Sequence, residues 1–237
     1  AQESSIRHPR VRSAFAQRTW SAGRFRKPRP RSVFRECEAA ALWLASGTDA
    51  QVCLGTTCAA LEALLMEAGQ KTAFYSSPHL VSTVERIRVN SQNISESDFV
   101  KLFKECENLI RSCELSHFEG LTLMAGHYFF SRKWNLNLDY VIFEVGLGGV
   151  FDATNAFPHK YSVITKLGLD HVQILGNRLT DIAQNKFGIA TKKGIVVHQP
   201  LAAELLSLKD EFQRKTNSNW VEVDAPLLEI KKYKNTP

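Results

Sequence analysis

The sequence predicts an α/β domain with a doubly wound, mainly parallel sheet flanked by helices, preceded by an extended basic N-terminal arm. Three observations predict it. Short apolar runs rich in β-branched and aromatic residues alternate along the chain with longer stretches of helical character. The clearest run, Tyr140-Val141-Ile142-Phe143, has the composition of a strand buried on both faces. Charge is also segregated. Residues 1–35 hold ten Lys/Arg against one acid, Glu3, while the remaining 202 residues hold 20 basic and 23 acidic residues. The net charge of +6 therefore belongs wholly to the arm.

A chain of 237 residues with 44% apolar composition can build a substantial core. No apolar run approaches the roughly 20 residues that a membrane span needs. The cysteines (Cys37, Cys53, Cys58, Cys106 and Cys113) form no CxxC pair, and their number is odd. That argues against a disulfide framework or a zinc site and fits a reducing compartment.

Two units are expected, an arm over 1–35 and an α/β domain over 36–237. The arm is rich in Arg, Ser and Pro, with scattered aromatics and no sustained period. That is the composition of a mitochondrial transit peptide, and the chain does not begin with Met. Its cations are Arg7, Arg10, Arg12, Arg18, Arg24, Arg26, Lys27, Arg29, Arg31 and Arg35. They suit RNA phosphates, an acidic protein groove, or a leftover targeting segment.

In the domain, 36–46 reads as a short helix ending at Gly47, and 58–68 as a helix with Leu61, Leu64 and Leu65 on one face. Residues 72–76 form a strand that exits at Ser77-Pro78-His79, and 84–90 alternates like a surface strand or loop arm. Ser95 starts a helix to about 112, and 118–133 is a second. Strands at 138–144, 161–165, 195–198 and 220–223 are interleaved with helices at 180–191, bearing Lys186, and 202–215.

The strand at 138–144 ends in one carboxylate, Glu144, followed by Gly146, Gly148 and Gly149, then Asp152 and Asn155. Ligands of open α/β sheets bind beyond the carboxyl ends of strands. The pattern reads either as a metal or phosphate site or as a tight strand exit with a solvated acid. A phosphate-binding loop of the form G-x-x-x-x-G-K-[ST] is expected between an early strand and helix. The closest segment, Gly55-Thr56-Thr57, is preceded by Leu54, and no Lys lies between Gly47 and Thr57.

Six blocks in order nevertheless resemble the folylpolyglutamate synthase and dihydrofolate synthase family of the Mur ligase superfamily. They are Phe74-Tyr75-Ser76-Ser77-Pro78-His79-Leu80; Glu85-Arg86-Ile87-Arg88-Val89-Asn90; Phe118-Glu119-Gly120-Leu121-Thr122-Leu123-Met124-Ala125; Glu144-Val145-Gly146-Leu147-Gly148-Gly149 with Asp152-Ala153-Thr154-Asn155; Gly168-Leu169-Asp170-His171; and Ile182-Ala183-Gln184-Asn185-Lys186-Phe187-Gly188-Ile189. The resemblance implies a Mur-ligase central-domain fold, P-loop-like in character. It also implies a chemistry in which ATP phosphorylates a folate carboxylate and the acyl phosphate is attacked by the amine of glutamate. Ser77, Glu144 and His171 would be metal ligands, Lys186 a carbamylated lysine, and Gly55, Thr56 and Thr57 a nucleotide loop. Ser77, Pro78, His79 and Arg86 would lie on the loop that contacts the pteridine.

The chain departs from that pattern at three places. The loop lysine is missing, which removes a main electrostatic contribution to phosphoryl transfer. The 14 residues from 224 to 237 are too few for the family's second, glutamate-binding domain. Asn185 and Val150 stand where the family usually has Glu and often has Arg. These departures lead to the expectation of a pseudoenzyme with a vestigial site and no cofactor, serving as a structural subunit of a large mitochondrial matrix assembly. The mitochondrial ribosome, with the arm on rRNA, is the first candidate. The alternatives are an active folate–glutamate ligase using Mg and ATP, and an accessory subunit of a respiratory or ATP synthase complex.

Overall fold

The structure is a computed structural model that describes residues 40–45 and 50–223. The basic arm, with all ten of its Lys/Arg candidates, lies outside the described residues, as do Ser46–Asp49 and the last 14 positions.

In chain order the elements are β1 (Ala40–Ala45), α1 (Ala50–Glu67), β2 (Thr72–Tyr75), a 3-10 turn (Thr83–Arg86), β3 (Ile87–Val89), β4 (Gln92–Asn93), α2 (Glu96–Ser112), α3 (His117–Phe130) and β5 (Tyr140–Glu144). There follow a 3-10 turn (Ala153–Ala156), β6 (Tyr161–Ile164), α4 (Val172–Leu175), α5 (Leu179–Phe187), β7 (Ile195–His198), a 3-10 turn (Ala203–Leu205), α6 (Leu206–Thr216) and β8 (Asn219–Glu222). The strands form one eight-stranded sheet in the order β4-β3-β2-β5-β1-β6-β7-β8. From β2 to β8 every pairing is parallel, and β3 and β4 add an antiparallel edge. The mainly parallel, helix-flanked sheet read from the sequence is therefore present.

Two assignments need correction. Residues 40–45 form a strand, where a helix was expected over 36–46. Alanines favour helix in isolation, but here the backbone pairs with β5 on one side and β6 on the other, and that pairing outweighs local propensity. The following helix starts at Ala50, eight residues before the expected start at 58. It contains no Pro, and its first five residues carry no glycine to mark a break.

Strand β5 is the axis of the packing. Val141, Ile142 and Phe143 are all fully buried. Because side chains alternate across a strand, they divide between two layers. Val141 and Phe143 join Ala73 and Tyr75 of β2 in the main core with Leu102, Leu121 and Met124 of α2 and α3. Ile142 and Phe74 pack with Cys58, Leu61 and Leu65 of α1 on the other face. Phe143 is ringed by aromatics, with centroids 5.7 Å from Tyr75, 5.9 Å from Phe129, 6.2 Å from Phe130 and 5.3 Å from Phe157.

Helix α3 opens with Ser116, whose hydroxyl accepts from Glu119 N–H at 3.3 Å while the Glu119 carboxylate accepts from Ser116 N–H at 2.9 Å. That reciprocal cap sets where His117 and Phe118 emerge. Arg88 on β3 ties that edge to α1. Its Nη2 donates to the buried Glu62 carboxylate at 2.7 Å, and its guanidinium lies 4.6 Å over the Phe74 ring.

Phe143→Ala removes a ring that touches four others, in a core that can only partly collapse. It is expected to lower stability by about 3–5 kcal/mol, read as a drop in the urea midpoint.

Candidate functional site

A cleft of about 370 Å³ opens beyond the carboxyl ends of β2, β5 and β6, the position predicted for ligands of a doubly wound sheet. Its lining comes from five segments. The exit of β2 gives Ser77 and Pro78, with Arg86 from the turn that follows. The start of α3 gives His117 and Phe118, and the exit of β5 runs from Glu144 to Asp152. Asp170 and His171 follow β6, and Lys186 comes from α5.

Glu144 is 4% exposed. Its Oε2 accepts from the Ser77 backbone N–H at 2.9 Å. Burial pushes its carboxyl up to about 7, against the pull of that bond and of the Arg86 and Arg88 charges. Gly55 faces the other carboxylate oxygen, since a Cβ built there would lie 3.6 Å from Oε1. Lys186 is 3% exposed. Burial pulls its amine down to about 8, while Asp170 and Asp152 pull it up. At pH 7.4 roughly a fifth of such an amine is neutral, against about a thousandth for an ordinary lysine. A neutral amine is what carbamylation requires.

The glycine loop between these poles is held from inside by Asp152. Its Oδ2 accepts from Leu147 N–H at 2.9 Å, and its Oδ1 from Thr154 N–H at 2.9 Å and the Thr154 hydroxyl at 2.6 Å. Burial raises this carboxyl above its usual range, although these bonds lower it. The sequence places these glycines in a pattern that suits a metal or phosphate site, and the structure gives two of them a packing reason. Gly148 has φ +73°, and a Cβ on it would stand 2.6 Å from Asn185 Oδ1. A Cβ on Gly149 would meet the Asn185 carbonyl at 2.8 Å and Lys186 Cα at 3.1 Å. Val150 N–H donates to that same carbonyl at 3.0 Å. The loop therefore lies directly on α5 beside Lys186.

Among the sequence-predicted residues, Ser77, Pro78, Arg86, Glu144, His171 and Lys186 share this cleft. His79 is not among the lining residues and accepts a bond from Arg86, which is. His171 has φ +47° and is the residue before α4, with its Nε2 3.6 Å from Asp170 Oδ2. Gly55, Thr56 and Thr57 sit in the second turn of α1. Backbone N–H groups that far into a helix are committed to carbonyls four residues back. Contact with a ligand from these positions falls to the Thr hydroxyls and to the space over Gly55. Asp152 is a member of the glycine pattern in the sequence, whereas Phe118 and Asp170 stand only within the family-like blocks. Their signal was present, but only the fold shows that they face the same space.

The donor set fits one kind of cation. A carboxylate and a hydroxyl are the hard oxygen ligands that Mg²⁺ accepts, together with phosphate oxygens and water. An imidazole suits softer ions better. Among the described residues no three His, Cys, Asp or Glu side chains converge to cage a metal. Glu144 and Ser77 therefore fit an ion that arrives with phosphate ligands.

The mainly parallel sheet places a strand-end acid and a buried lysine on one cleft, and the solved folylpolyglutamate synthase structures share this Mur-ligase-type α/β fold. No protein-family model matches the chain. It is 43% identical over 147 residues to the dihydrofolate synthase/folylpolyglutamate synthase of Escherichia coli, covering 62% of this chain and 34% of that protein. To the human mitochondrial folylpolyglutamate synthase it is 39% identical over 170 residues, covering 68% of this chain and 28% of that one. The structure of E. coli FolC in complex with DHPP and ADP superposes with a TM-score of 0.71 at 30% identity, over 93% of this chain and 48% of that chain. The chain is thus similar to folylpolyglutamate synthases/dihydrofolate synthases, and it spans less than half the length of these relatives.

The site gives stability a distinctive pH profile. The folded state holds the Glu144 proton up to about 7, and the unfolded chain releases it near 4.5. Between those values the native state binds more protons, so stability falls as pH rises, by about 3 kcal/mol across the window. Lys186 acts above it. Its folded value is about 8 against 10.5 unfolded, so stability rises with pH between those limits. Relative to wild type, Glu144→Gln is expected to lose the Glu144 contribution to the fall, so that the difference in melting temperature between the two proteins changes between pH 4.5 and 7.

Proposed function

We propose that this chain provides the nucleotide- and folate-side part of an ATP-dependent folate–glutamate ligase. The observation that carries this reading is the convergence of Ser77, Glu144, His171 and Lys186 on one cleft from four separate segments. In the reaction, a substrate carboxylate oxygen attacks the γ-phosphorus of ATP, and ADP leaves. The amine of glutamate then attacks the acyl carbon, and the C–O bond to phosphate breaks with loss of a proton from nitrogen.

Each residue has a physical part in this scheme. Ionised Glu144 and the Ser77 hydroxyl would hold Mg²⁺, which when bound supplies positive charge to the phosphoryl oxygens. Ser77 N–H keeps the Glu144 carboxylate turned towards the cleft. Lys186 is buried next to Asp152 and Asp170, and as a carbamate it would present an oxygen to the cation. Arg86 supplies fixed positive charge on the β2 side, and Phe118 at the start of α3 offers a flat apolar wall for a ring. The similar E. coli protein was captured with ADP and DHPP. Nucleotide and a folate-type ligand are therefore the natural probes for this chain.

A second reading rests on a specific observation. No Lys lies between Gly47 and Thr57, and Gly55–Thr57 are already inside a helix. Phosphoryl transfer without that cation loses one of its larger electrostatic contributions. In this reading the domain binds ligand without turnover and serves a mitochondrial assembly, with the arm on rRNA or on a subunit of a respiratory or ATP synthase complex.

One set of measurements separates the two. The ligase reading expects MgATP binding and phosphate release that requires both folate and glutamate, and loss of that release by more than 100-fold in Glu144→Gln. Calorimetry at pH 7 is expected to show proton release from Glu144 when MgATP binds. Folate binding without phosphate release supports the second reading, and lack of nucleotide binding overturns the first. For the arm, deleting residues 1–35 is expected to abolish RNA binding that weakens steeply with salt. Unchanged RNA binding by the truncated chain rules out the rRNA role.

A further inference from the structure

The segment after β2 closes on itself. Glu85 gathers three backbone N–H groups on one carboxylate: Leu80 at 2.8 Å on Oε2, with Val81 at 3.1 Å and Ser82 at 2.7 Å on Oε1. These bonds hold its carboxyl below the usual range, with the nearby His79 adding to the effect. They fold the segment back so that two residues seven positions apart meet. His79 Nδ1 accepts from Arg86 Nε at 2.9 Å.

That bond constrains both partners. The Nε of a guanidinium only donates, so Nδ1 is the acceptor nitrogen. Arg86 is 9% exposed, and its guanidinium lies near the Tyr75 hydroxyl. Tyr75 is held in turn by Thr122, whose hydroxyl lies 3.1 Å from it. A guanidinium is a rigid plane, and in this buried setting a bond at Nε restricts its rotation. The same group lines the cleft near the Glu144 carboxyl. Nothing in catalysis or metal binding as described above requires His79.

We infer that His79 is a positioning residue that fixes the plane of Arg86, so that the outer guanidinium N–H groups present a fork to an oxyanion of the ligand in the cleft. Two parallel N–H bonds match a carboxylate or a phosphate, and a lysine could not substitute for the fork. The identity of the oxyanion, either the carboxylate of a folate-type substrate or a nucleotide phosphate, rests on the ligase reading. The His79–Arg86 geometry does not.

The test uses the full chain as wild type, His79→Ala, His79→Gln and Arg86→Lys. In a ¹⁵N-detected arginine spectrum of the unliganded protein, a slowly exchanging Nε–H signal is expected that disappears in Arg86→Lys. It should be lost in His79→Ala and kept in His79→Gln, whose amide oxygen can accept the same bond. Titration with folate and with MgADP is then expected to show about tenfold weaker binding of one of them to His79→Ala, and near wild-type binding to His79→Gln. Tenfold corresponds to about 1.4 kcal/mol, in the range of one misaligned charge-assisted bond. The ligand that weakens identifies the oxyanion.

An Nε–H signal indifferent to His79→Ala overturns the inference, as does a His79→Gln variant as weak as His79→Ala. Equal melting temperatures in the two variants exclude a folding defect as the cause. If wild type binds neither ligand, the docking role and the ligase reading fall together, and the Nε–H signal still decides whether His79 holds Arg86.

Discussion

A carboxyl group buried at the end of a central strand is the constraint around which this fold is arranged. Glu144 lies at the last position of β5, paired in register with β1 on one side and next to the end of β2 on the other. Pairing on both edges and packing on both faces leave its side chain only the space beyond the sheet. Water is largely excluded there, so the charged form is disfavoured until a partner arrives. The Ser77 N–H meets part of that need and orients the group. A cation would meet the rest. Placing an under-satisfied acid at a cleft costs stability, and such costs concentrate at functional sites.

Around this acid the structure separates support from contact. Asp152 spends its carboxylate on the loop backbone and on Thr154. Glu119 caps α3, and Glu85 closes the loop after β2. Each of these acids is consumed by backbone donors. Each one places another side chain at the cleft: Asp152 sets the loop that follows Glu144, Glu119 sets Phe118, and Glu85 sets Arg86. The groups left facing the space are the ones whose chemistry a ligand can use.

Much of the fold was legible in the sequence, because apolar runs with β-branched and aromatic residues announce buried strands. β5, β6 and β7 appear where the runs predict them. β1 was not legible. Ala40–Ala45 is half alanine, and a strand of that composition is defined by its neighbours rather than by its own preferences. The start of α1 was missed for a related reason. Asp49 before Ala50 is a start signal of the kind helices use, but Gly55 further along makes the same stretch read as a loop. At the site, the residues with a motif (Ser77, Glu144, His171 and Lys186) were legible as candidates, and their convergence needed the fold. The contacts of Gly148 and Gly149 with α5 could not be read at all. Glycine in a sequence says that something comes close, without saying whether it is ligand or protein.

The packing of Gly149 on Lys186 Cα has a mechanical consequence. With the Val150–Asn185 backbone bond, it welds the loop after β5 to α5. The loop that follows the acid and the helix that carries the lysine therefore form one jaw, held together by backbone contact. The opposite jaw is the segment from Ser77 to Arg86, a self-closed loop joined to the first by the Ser77–Glu144 bond and by the strands beneath it. The Ser77–Glu144 bond is a direct tie between the two jaws, and it is stronger when the carboxylate is ionised.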